Sequence, residues 1–390
     1  MLTKSRILIV DDEPFNVDYL EQELDGPEYE LSSAANGQDA LQKIQSEKPD
    51  LVLLDIMMPI MDGFSVLEKA KADPETRAIP IIIISANSDL KSIVKGIKMG
   101  AEDYLPKPFE PTILHARIAA SLERKHLRDL EQMHTQSLER EMNTARDIQK
   151  EFLPPELPAT PGWEVAAYFK AANMVAGDYY DAFPLPDGNL VLVVGDVCGK
   201  GVGAALFMTL FRSLIRATSS AGLLGMETSS NTRRIEQAVA ITNQYIAITH
   251  EQALVFSTLF IGCLNIEDGT LTYINAGNEA PLLLRSNGTM EQLKPTGPVV
   301  GYLAEAVFKV GETHLEPSDC LVAFTDGIPD SKNQQDEFYG HNRLHETLRQ
   351  RGVPCSELVN RLGEELVQFI GEADQFDDIT ILAVRRLPQP

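Results

Sequence analysis

The sequence predicts a multidomain α/β chain: a doubly wound parallel sheet, then a long helical linker, then an α-β-β-α sandwich. Three observations carry this. Up to about Leu122, short continuous apolar runs alternate with helical patterns, as in parallel strands buried on both faces. No Gly or Pro interrupts the charged stretch between Thr112 and Leu153, which favours one long helix. Beyond Pro158, strand-like runs bounded by turn residues dominate, with helical patterns near 204–217, 232–249 and 355–371. The expected boundaries are 1–122, 123–157 and 158–390.

In the first segment the strand candidates are Ile7-Leu8-Ile9-Val10, Leu51-Val52-Leu53-Leu54 and Ile81-Ile82-Ile83-Ile84. In an open α/β sheet, chemistry gathers beyond the carboxyl ends of the strands. There the sequence places Asp11-Asp12, Asp55, Ser85 and Lys107. Three aspartates and a lysine at one sheet edge read as a magnesium-assisted phosphoryl acceptor. Asp11 and Asp12 hold the metal, and Asp55 offers its carboxylate as nucleophile. The Ser85 hydroxyl and the Lys107 ammonium would pair with the added phosphoryl oxygens. A flavodoxin-like fold with scattered surface acids is the other reading.

With Asp55-Ile56-Met57-Met58-Pro59-Ile60-Met61-Asp62-Gly63 and Asp103-Tyr104-Leu105-Pro106-Lys107-Pro108, the segment resembles the response-regulator receiver domain over its whole length. The resemblance implies phosphorylation at Asp55 by a sensor histidine kinase. It implies a Mg²⁺ shell of Asp11, Asp12, Asp55 and the Met57 carbonyl. It also makes Tyr104 the aromatic switch that follows Ser85. Lys107-Pro108 is a candidate cis peptide.

The linker from about Glu110 to Phe152 is rich in Glu, Arg, Lys and Gln. Leu127 and Leu130 start an a/d seam that reaches His134. Leu138, Ala145, Ile148 and Phe152 resume it after a four-residue offset, a stutter that locally unwinds a coiled coil. A parallel dimeric signalling helix is the expected form; an amphipathic helix lying on its own domain is the alternative. Pro154-Pro155 and Pro158 end it.

The third segment opens on Gly177-Asp178-Tyr179-Tyr180-Asp181 and Gly195-Asp196-Val197-Cys198-Gly199-Lys200-Gly201. Pro186-Asp187-Gly188 between them is turn chemistry, so the stretch reads as a β-hairpin. Counting outward from Asp187 sets Asp178 opposite Asp196, where side chains in register lie ~5 Å apart. Like charges so placed destabilise a hairpin unless a cation sits between them, and a hard divalent ion is the candidate. Two solvated loop aspartates are the alternative for the hairpin alone.

Leu321-Val322-Ala323-Phe324-Thr325 ends at Asp326-Gly327, and Asp377-Asp378 opens Ile379-Thr380-Ile381-Leu382-Ala383-Val384. In antiparallel neighbours, the end of one strand and the start of the next share one sheet edge. Asp178, Asp196, Asp326 and Asp377 can therefore converge, and an all-oxygen set suits Mg²⁺ or Mn²⁺. Leu254–Ile266, Thr270–Ala276 and Pro281–Arg285 are expected to complete a meander. The glycines of Gly199-Lys200-Gly201-Val202-Gly203 would let backbone approach the site, with phosphate cradling as the other reading.

These motifs, with Asn275-Ala276-Gly277-Asn278, Phe324-Thr325-Asp326-Gly327 and Asp377-Asp378-Ile379-Thr380, resemble the metal-dependent serine/threonine phosphatases (the PPM family). The nearest branch is the one that controls sporulation and stress sigma factors; the likeness covers roughly Pro158 to Arg386. It implies two Mn²⁺ or Mg²⁺ ions bridged by Asp196, with Asp178, Asp326, Asp377 and the Val197 carbonyl as further ligands. A water activated between two such ions would attack phosphorus in line, without a covalent phosphoenzyme. Asp181, Asp330 and Asp378 are lesser candidates beside the metal or substrate. Ala145-Arg146-Asp147-Ile148-Gln149 resembles that branch's switch helix. The chain departs from the pattern at Asn278 (often His), Ala176 (often Gly) and Ile328-Pro329-Asp330.

By the same resemblance the substrate is a phosphorylated STAS-type anti-sigma-factor antagonist in a partner-switching pathway. The expected control is that phosphorylation of Asp55 reorders the receiver face, changes helix pairing around Leu127–Ile148 and thereby sets metal occupancy or substrate access. The alternative is a non-catalytic adaptor that binds a sigma factor or anti-sigma regulator; the four intact acids speak against it. Composition narrows the rest. A formal net charge of −23 disfavours a grip on nucleic acid or an anionic membrane. Cys198, Cys263, Cys320 and Cys355 are widely spaced, which fits a reduced cytoplasm. The N-terminus reads as no signal peptide, and no apolar run approaches ~18 residues, so a cytoplasmic protein is expected.

Overall fold

The computed structural model describes residues 4–86, 90–220, 230–349 and 352–388. It divides into two compact units, Met1–Leu138 and Glu139–Pro390.

In the first unit β1 (Ser5–Val10), α1 (Pro14–Glu23), β2 (Tyr29–Ala34), α2 (Gly37–Glu47), β3 (Leu51–Asp55), α3 (Gly63–Ala72), β4 (Ile81–Ser85), α4 (Leu90–Lys98) and β5 (Asp103–Pro106) alternate. The five strands form one parallel sheet in the order β2-β1-β3-β4-β5. Period-two alternation splits each apolar run between two cores, which is why the runs are continuous. Leu8, Val10, Val52, Leu54, Ile81 and Ile83 face one core, and Ile7, Ile9, Leu51, Leu53, Ile82 and Ile84 the other. Gly63 lies against the chain at Asp55: a Cβ there would stand 2.2 Å from the Asp55 carbonyl oxygen.

Helix α5 (Pro111–Phe152) runs unbroken for 42 residues, about 63 Å at the α-helical rise. The unit boundary falls inside it. Leu114 and Ile118 are buried in the first unit, and Leu153, just past the helix, is buried in the second. The seam residues Leu127, Leu130, Leu138 and Ile148 are exposed.

The second unit holds β6 (Trp163–Lys170), β7 (Asp178–Pro184), β8 (Asn189–Val197), α6 (Val202–Ser219), α7 (Asn231–Thr249), β9 (Ser257–Asn265), β10 (Thr270–Ala276), β11 (Leu282–Leu284), β12 (Met290–Gln292), β13 (Gly311–His314), β14 (Cys320–Phe324), α8 (Gly340–Leu348), α9 (Cys355–Ile370) and β15 (Ile379–Arg386). Two five-stranded sheets, β13-β10-β9-β8-β7 and β12-β11-β14-β15-β6, face each other. Leu190, Leu192, Val194, Phe260, Leu321, Leu382 and Val384 share the core between them. Helices α6 and α7 cover the first sheet, and α8 and α9 the second. This is the α-β-β-α sandwich.

The expected meander is corrected at its third strand. β9 and β10 pair, but β11 crosses to the second sheet and pairs with β12 and β14. The turn at Asn275–Asn278 redirects the chain: Gly277 takes a φ of 74°, and the Asn275 carboxamide oxygen accepts from the Asn278 amide at 3.0 Å. Among the described residues, no helix is long and apolar enough to cross a membrane.

Candidate functional site

Two groups of acidic side chains stand at strand ends, one in each unit. In the first unit Asp11 follows β1, Asp55 ends β3, Ser85 ends β4 and Lys107 follows β5. Parallel strands bring these ends to one edge. The Lys107 ammonium donates to Asp11 Oδ2 at 2.6 Å and to Asp55 Oδ1 at 2.9 Å. Asp11 Oδ1 accepts from the Glu13 amide and the Asn16 carboxamide, both at 3.0 Å, and Asp55 Oδ2 from the Met57 amide at 2.6 Å.

Burial pushes the Asp55 carboxyl up, against the pull of Lys107. Burial alone would lower Lys107, but its two carboxylate partners outweigh that and raise it. The two directions differ, since pairing alone would raise the lysine and lower the carboxyl: the lysine is held charged by two partners, while at Asp55 burial and the second carboxylate outweigh the one lysine they share. Asp12 flanks Asp11 and is partly buried, and Ser85 and Tyr104 are buried. The Lys107-Pro108 peptide is cis. Three carboxylates and the Met57 carbonyl, at the ends of neighbouring strands β1 and β3, are hard oxygen donors and fit a Mg²⁺ ion.

In the second unit the hairpin register is the one counted from the turn: Asp178 on β7 pairs with Asp196 on β8. Asp178 is 1% exposed. Its Oδ2 accepts from Thr325 Oγ1 at 2.7 Å and Thr380 Oγ1 at 2.5 Å, which fixes the rotation of the carboxylate. Those threonines come from the end of β14 and the start of β15, and each is one or two residues from Asp326 or Asp377–Asp378. The antiparallel pairing of β14 and β15 therefore brings Asp326 and Asp377 to the edge where Asp178 and Asp196 stand.

The electrostatics are those of crowded anions. Burial, then the charges of Asp196 and Asp378, push Asp178 well above the usual carboxylate range. Burial, then Asp326 and Asp377, push Asp196 up to about 7. Asp326 is raised by partial burial and by Asp377 and Asp330, although its side chain stays open to solvent. One nearby cation answers this: Lys200 Nζ lies 3.4 Å from Asp377 Oδ2, over the Phe376 ring, and donates to the Phe376 carbonyl at 2.5 Å. Among the described residues no three His, Cys, Asp or Glu side chains already close to a metal cage. What speaks for a cation is the donor set: Asp178, Asp196 and Asp326, each pushed up by burial and neighbouring carboxylates, are relieved by a proton or by a hard divalent ion. The residues fit such an ion.

The lesser candidates separate. Asp378 is buried and accepts from the Ala172 and Gly177 amides at 2.7 Å and the Asp178 amide at 3.4 Å, so it holds the loop that leads into β7. Asp330 is exposed near Asp326, and its amide donates to the Asp326 carbonyl at 2.9 Å. Asp181 is not brought to the cluster. Three positions along β7 from Asp178, it faces α6 and pairs with Arg212 at 2.9 Å and Arg216 at 2.8 Å. Close packing explains two glycines: a Cβ on Gly177 would stand 2.9 Å from the Val197 carbonyl, and one on Gly327 1.8 Å from the Asp378 carbonyl.

Asn278 bridges the sheets. It donates to the Phe324 carbonyl at 3.0 Å and accepts at 3.3 Å from Thr258 Oγ1, which itself accepts from the Asp196 amide at 3.3 Å. Thr325, Thr380 and Lys200 were given no individual role from sequence, and Gln149 entered only as part of the stretch likened to a switch helix. The two threonines carried a signal, since each stands beside a motif aspartate in a strand.

The family described as Stage II sporulation protein E (SpoIIE) matches residues 186–387, more than half of the chain, and the response regulator receiver domain matches residues 7–119. The first match begins after Asp178, whose placement rests on its register with Asp196. Protein IcfG of Synechocystis sp. is 40% identical over 262 residues, 63% of this chain and 41% of that protein. Response regulator PleD of Caulobacter vibrioides is 45% identical over 114 residues, 29% of this chain and 25% of that protein. The chain thus spans less than half the length of these relatives. Among solved structures, the SiaA-PP2C domain of Pseudomonas aeruginosa aligns with a TM-score of 0.54 and 22% identity, over 65% of this chain and 98% of that one, which shows the same fold.

Proposed function

The chain belongs to the Stage II sporulation protein E family and carries a response regulator receiver domain, and we propose that it is a phosphatase whose rate is set by phosphorylation of that receiver. The reaction is hydrolysis of a serine or threonine phosphomonoester on a protein. The observation that supports this best is the facing Asp178–Asp196 pair, with Asp178 buried and Asp326 and Asp377 near Asp196. Asp178, Asp196, Asp326, Asp377 and the Val197 carbonyl would hold Mn²⁺ or Mg²⁺. Bound there, such ions supply a water made acidic near neutral pH and positive charge for the phosphoryl oxygens. Thr325 and Thr380 orient Asp178, Asp378 holds the loop behind it, and Asn278 ties the Asp196 strand to the end of β14.

In the receiver, Asp55 takes the phosphoryl group beside a Mg²⁺ ion held by Asp11, Asp12, Asp55 and the Met57 carbonyl, with Ser85, Tyr104 and Lys107 as the responding side chains. A receiver domain implies a phosphodonor such as a sensor histidine kinase. Residues 1–122, 123–157 and 158–390 then act as receiver, linker and phosphatase. Leu127, Leu130, Leu138 and Ile148 form an exposed apolar stripe on α5, and we assign to it pairing with a second copy of the chain. The substrate proposed is a phosphorylated STAS-type anti-sigma-factor antagonist, on the family's likeness.

The test is Mn²⁺-dependent phosphate release from a phosphoserine peptide by the full chain beside Asp196→Asn. Release that needs metal and falls to the protein-free level in the variant is expected. A folded chain that binds Mn²⁺ and releases no phosphate, with or without acyl-phosphate treatment of Asp55, would instead support a binding module.

A further inference from the structure

Lys200 stands in the turn between β8 and α6, flanked by Gly199 at a φ of 98° and Gly201 at 76°. Both values lie in the left-handed region that glycine enters freely, so the chain turns tightly around the lysine. Its side chain reaches the loop before β15, 176 residues away in sequence. There Nζ donates to the Phe376 carbonyl at 2.5 Å, lies 4.4 Å from the centre of the Phe376 ring and stands 3.4 Å from Asp377 Oδ2. These contacts hold the ammonium in place without enclosing it. Exposure rises from 1% at Asp178 to 32% for the Asp377 side chain and 49% for that of Lys200, so the lysine marks the open end of the cluster. Among the described residues, no other lysine or arginine forms an ion pair with Asp178, Asp196, Asp326 or Asp377. Lys332, on the same ring at 5.7 Å, is paired with Asp336 at 3.8 Å.

We propose that Lys200 is a substrate-binding residue of this site: its ammonium donates to a terminal oxygen of the phosphoryl group that is hydrolysed. This rests on the phosphatase reading above. A phosphoserine side chain carries a charge of about −1.5 to −2 and three acceptor oxygens. It must approach a rim of carboxylates on a chain of net charge −23, so a cation at the mouth matters. An ammonium has three donors, and the Phe376 carbonyl and Asp377 account for at most two, which leaves one for a ligand. Its bond to a phosphoryl oxygen is charge-assisted and therefore stronger than a neutral one. A mere tie between two loops needs no charge: a buried neutral donor would serve it, whereas this ammonium is kept half in water. The Phe376 ring and carbonyl also fix where a long, flexible side chain ends, which reduces the entropy lost when substrate binds.

The test is steady-state phosphate release from a phosphoserine peptide by the full chain at saturating Mn²⁺, as wild type, Lys200→Met, Lys200→Gln and Lys200→Arg. Inorganic phosphate is titrated as inhibitor, and calorimetry gives the Mn²⁺ affinity of the sites that Asp196→Asn loses. A bond that serves substrate and transition state alike shows in KM more than in kcat. In Lys200→Met and Lys200→Gln, KM should rise roughly 10- to 100-fold, and phosphate should inhibit more weakly by a similar factor. Lys200→Arg keeps the charge and stacks on an aromatic ring, and should recover most of the loss. In the neutral variants Mn²⁺ affinity should match or exceed that of the wild type, since a cation beside Asp377 has been removed.

Unchanged KM and phosphate inhibition in both neutral variants overturn the proposal. So does a loss that tracks weaker Mn²⁺ binding and disappears at higher Mn²⁺, which would make Lys200 a tie between loops. Lys200→Arg no better than Lys200→Met also contradicts it. Should Lys200→Met fail to fold, Lys200→Gln decides. A wild type that binds Mn²⁺ but hydrolyses nothing refutes the phosphatase reading, and phosphate titrated calorimetrically into the Mn²⁺-loaded chain then judges Lys200. Binding that weakens in the neutral variants upholds its role, and equal or absent binding refutes it.

Discussion

The receiver edge and the hairpin rim both gather aspartates at strand ends, and they balance that charge in opposite ways. At the receiver edge an ammonium is built in: Lys107 contacts Asp11 and Asp55 at 2.6 and 2.9 Å. At the hairpin rim Asp178 meets two threonine hydroxyls and the charges of Asp196 and Asp378, and the lysine nearby touches Asp377 at the periphery. A carboxylate that must act as nucleophile needs a partner for the charge it gains, and a fixed lysine provides one. The receiver acids are assigned one Mg²⁺ ion beside that lysine, whereas of the four acids at the hairpin rim Lys200 touches only Asp377, so the charge of Asp178 and Asp196 is left to a proton or to ions from solution. The difference teaches that the number of aspartates says less about a site than where its counter-charge comes from.

The contrast can be broken most strongly at Asp178. Thr325→Val with Thr380→Val removes both hydroxyls from its Oδ2. Mn²⁺ affinity at the phosphatase sites should fall roughly 10- to 100-fold by calorimetry, while Ser85→Ala in the receiver leaves it unchanged.

A second expectation concerns pH. Asp196 is pushed up to about 7 in the folded chain, above the ordinary carboxyl value of about 3.9. The folded state therefore holds this proton more tightly than the unfolded state. The stability it contributes is present at low pH and is lost as pH rises from the ordinary carboxyl range through about 7. Asp178, raised in the same direction, adds to the trend. Thermal unfolding of chelator-treated protein should show the second unit less stable at pH 8 than at pH 5, and saturating Mn²⁺ should remove the difference. A midpoint independent of pH without metal would contradict it.

Smaller effects are expected at the receiver and the linker. Lys107→Met leaves Asp11 and Asp55 facing each other and should destabilise the first unit by about 1–3 kcal/mol in urea unfolding at pH 7. The effect should shrink at lower pH as Asp55, whose carboxyl burial pushes up, takes a proton. Leu130→Lys with Ile148→Lys changes exposed positions and should alter the stability of either unit by no more than about 0.5 kcal/mol each. Sedimentation should nonetheless show the loss of any self-association that the stripe mediates.

Much of this arrangement was legible in the sequence, for physical reasons that can be named. The pairing of Asp178 with Asp196 could be counted because a strand has period two and Pro186-Asp187-Gly188 fixes the turn. The receiver edge was legible because continuous apolar runs mark parallel strands whose ends coincide. Asp181 was misjudged beside its neighbour. An odd spacing from Asp178 already turns it to the other face, and the arginines that hold it lie on a helix far along the chain. β11 was assigned to the wrong sheet because a run of three leucines has no face of its own, and only the turn at Gly277 sends it across. Gln149 was read only as the end of the stretch likened to a switch helix; a neutral carboxamide on a polar helix does not reveal the peptide at Ala176 that it pairs with.

In the proposed function the state of the receiver site sets the rate at the second acidic site. The most direct test is Mn²⁺-dependent phosphate release from a phosphoserine peptide, measured for the wild type before and after acyl-phosphate treatment and for Asp55→Ala under both conditions. Treatment is expected to change the rate of the wild type and to leave Asp55→Ala unmoved. Equal rates in all four samples would contradict it.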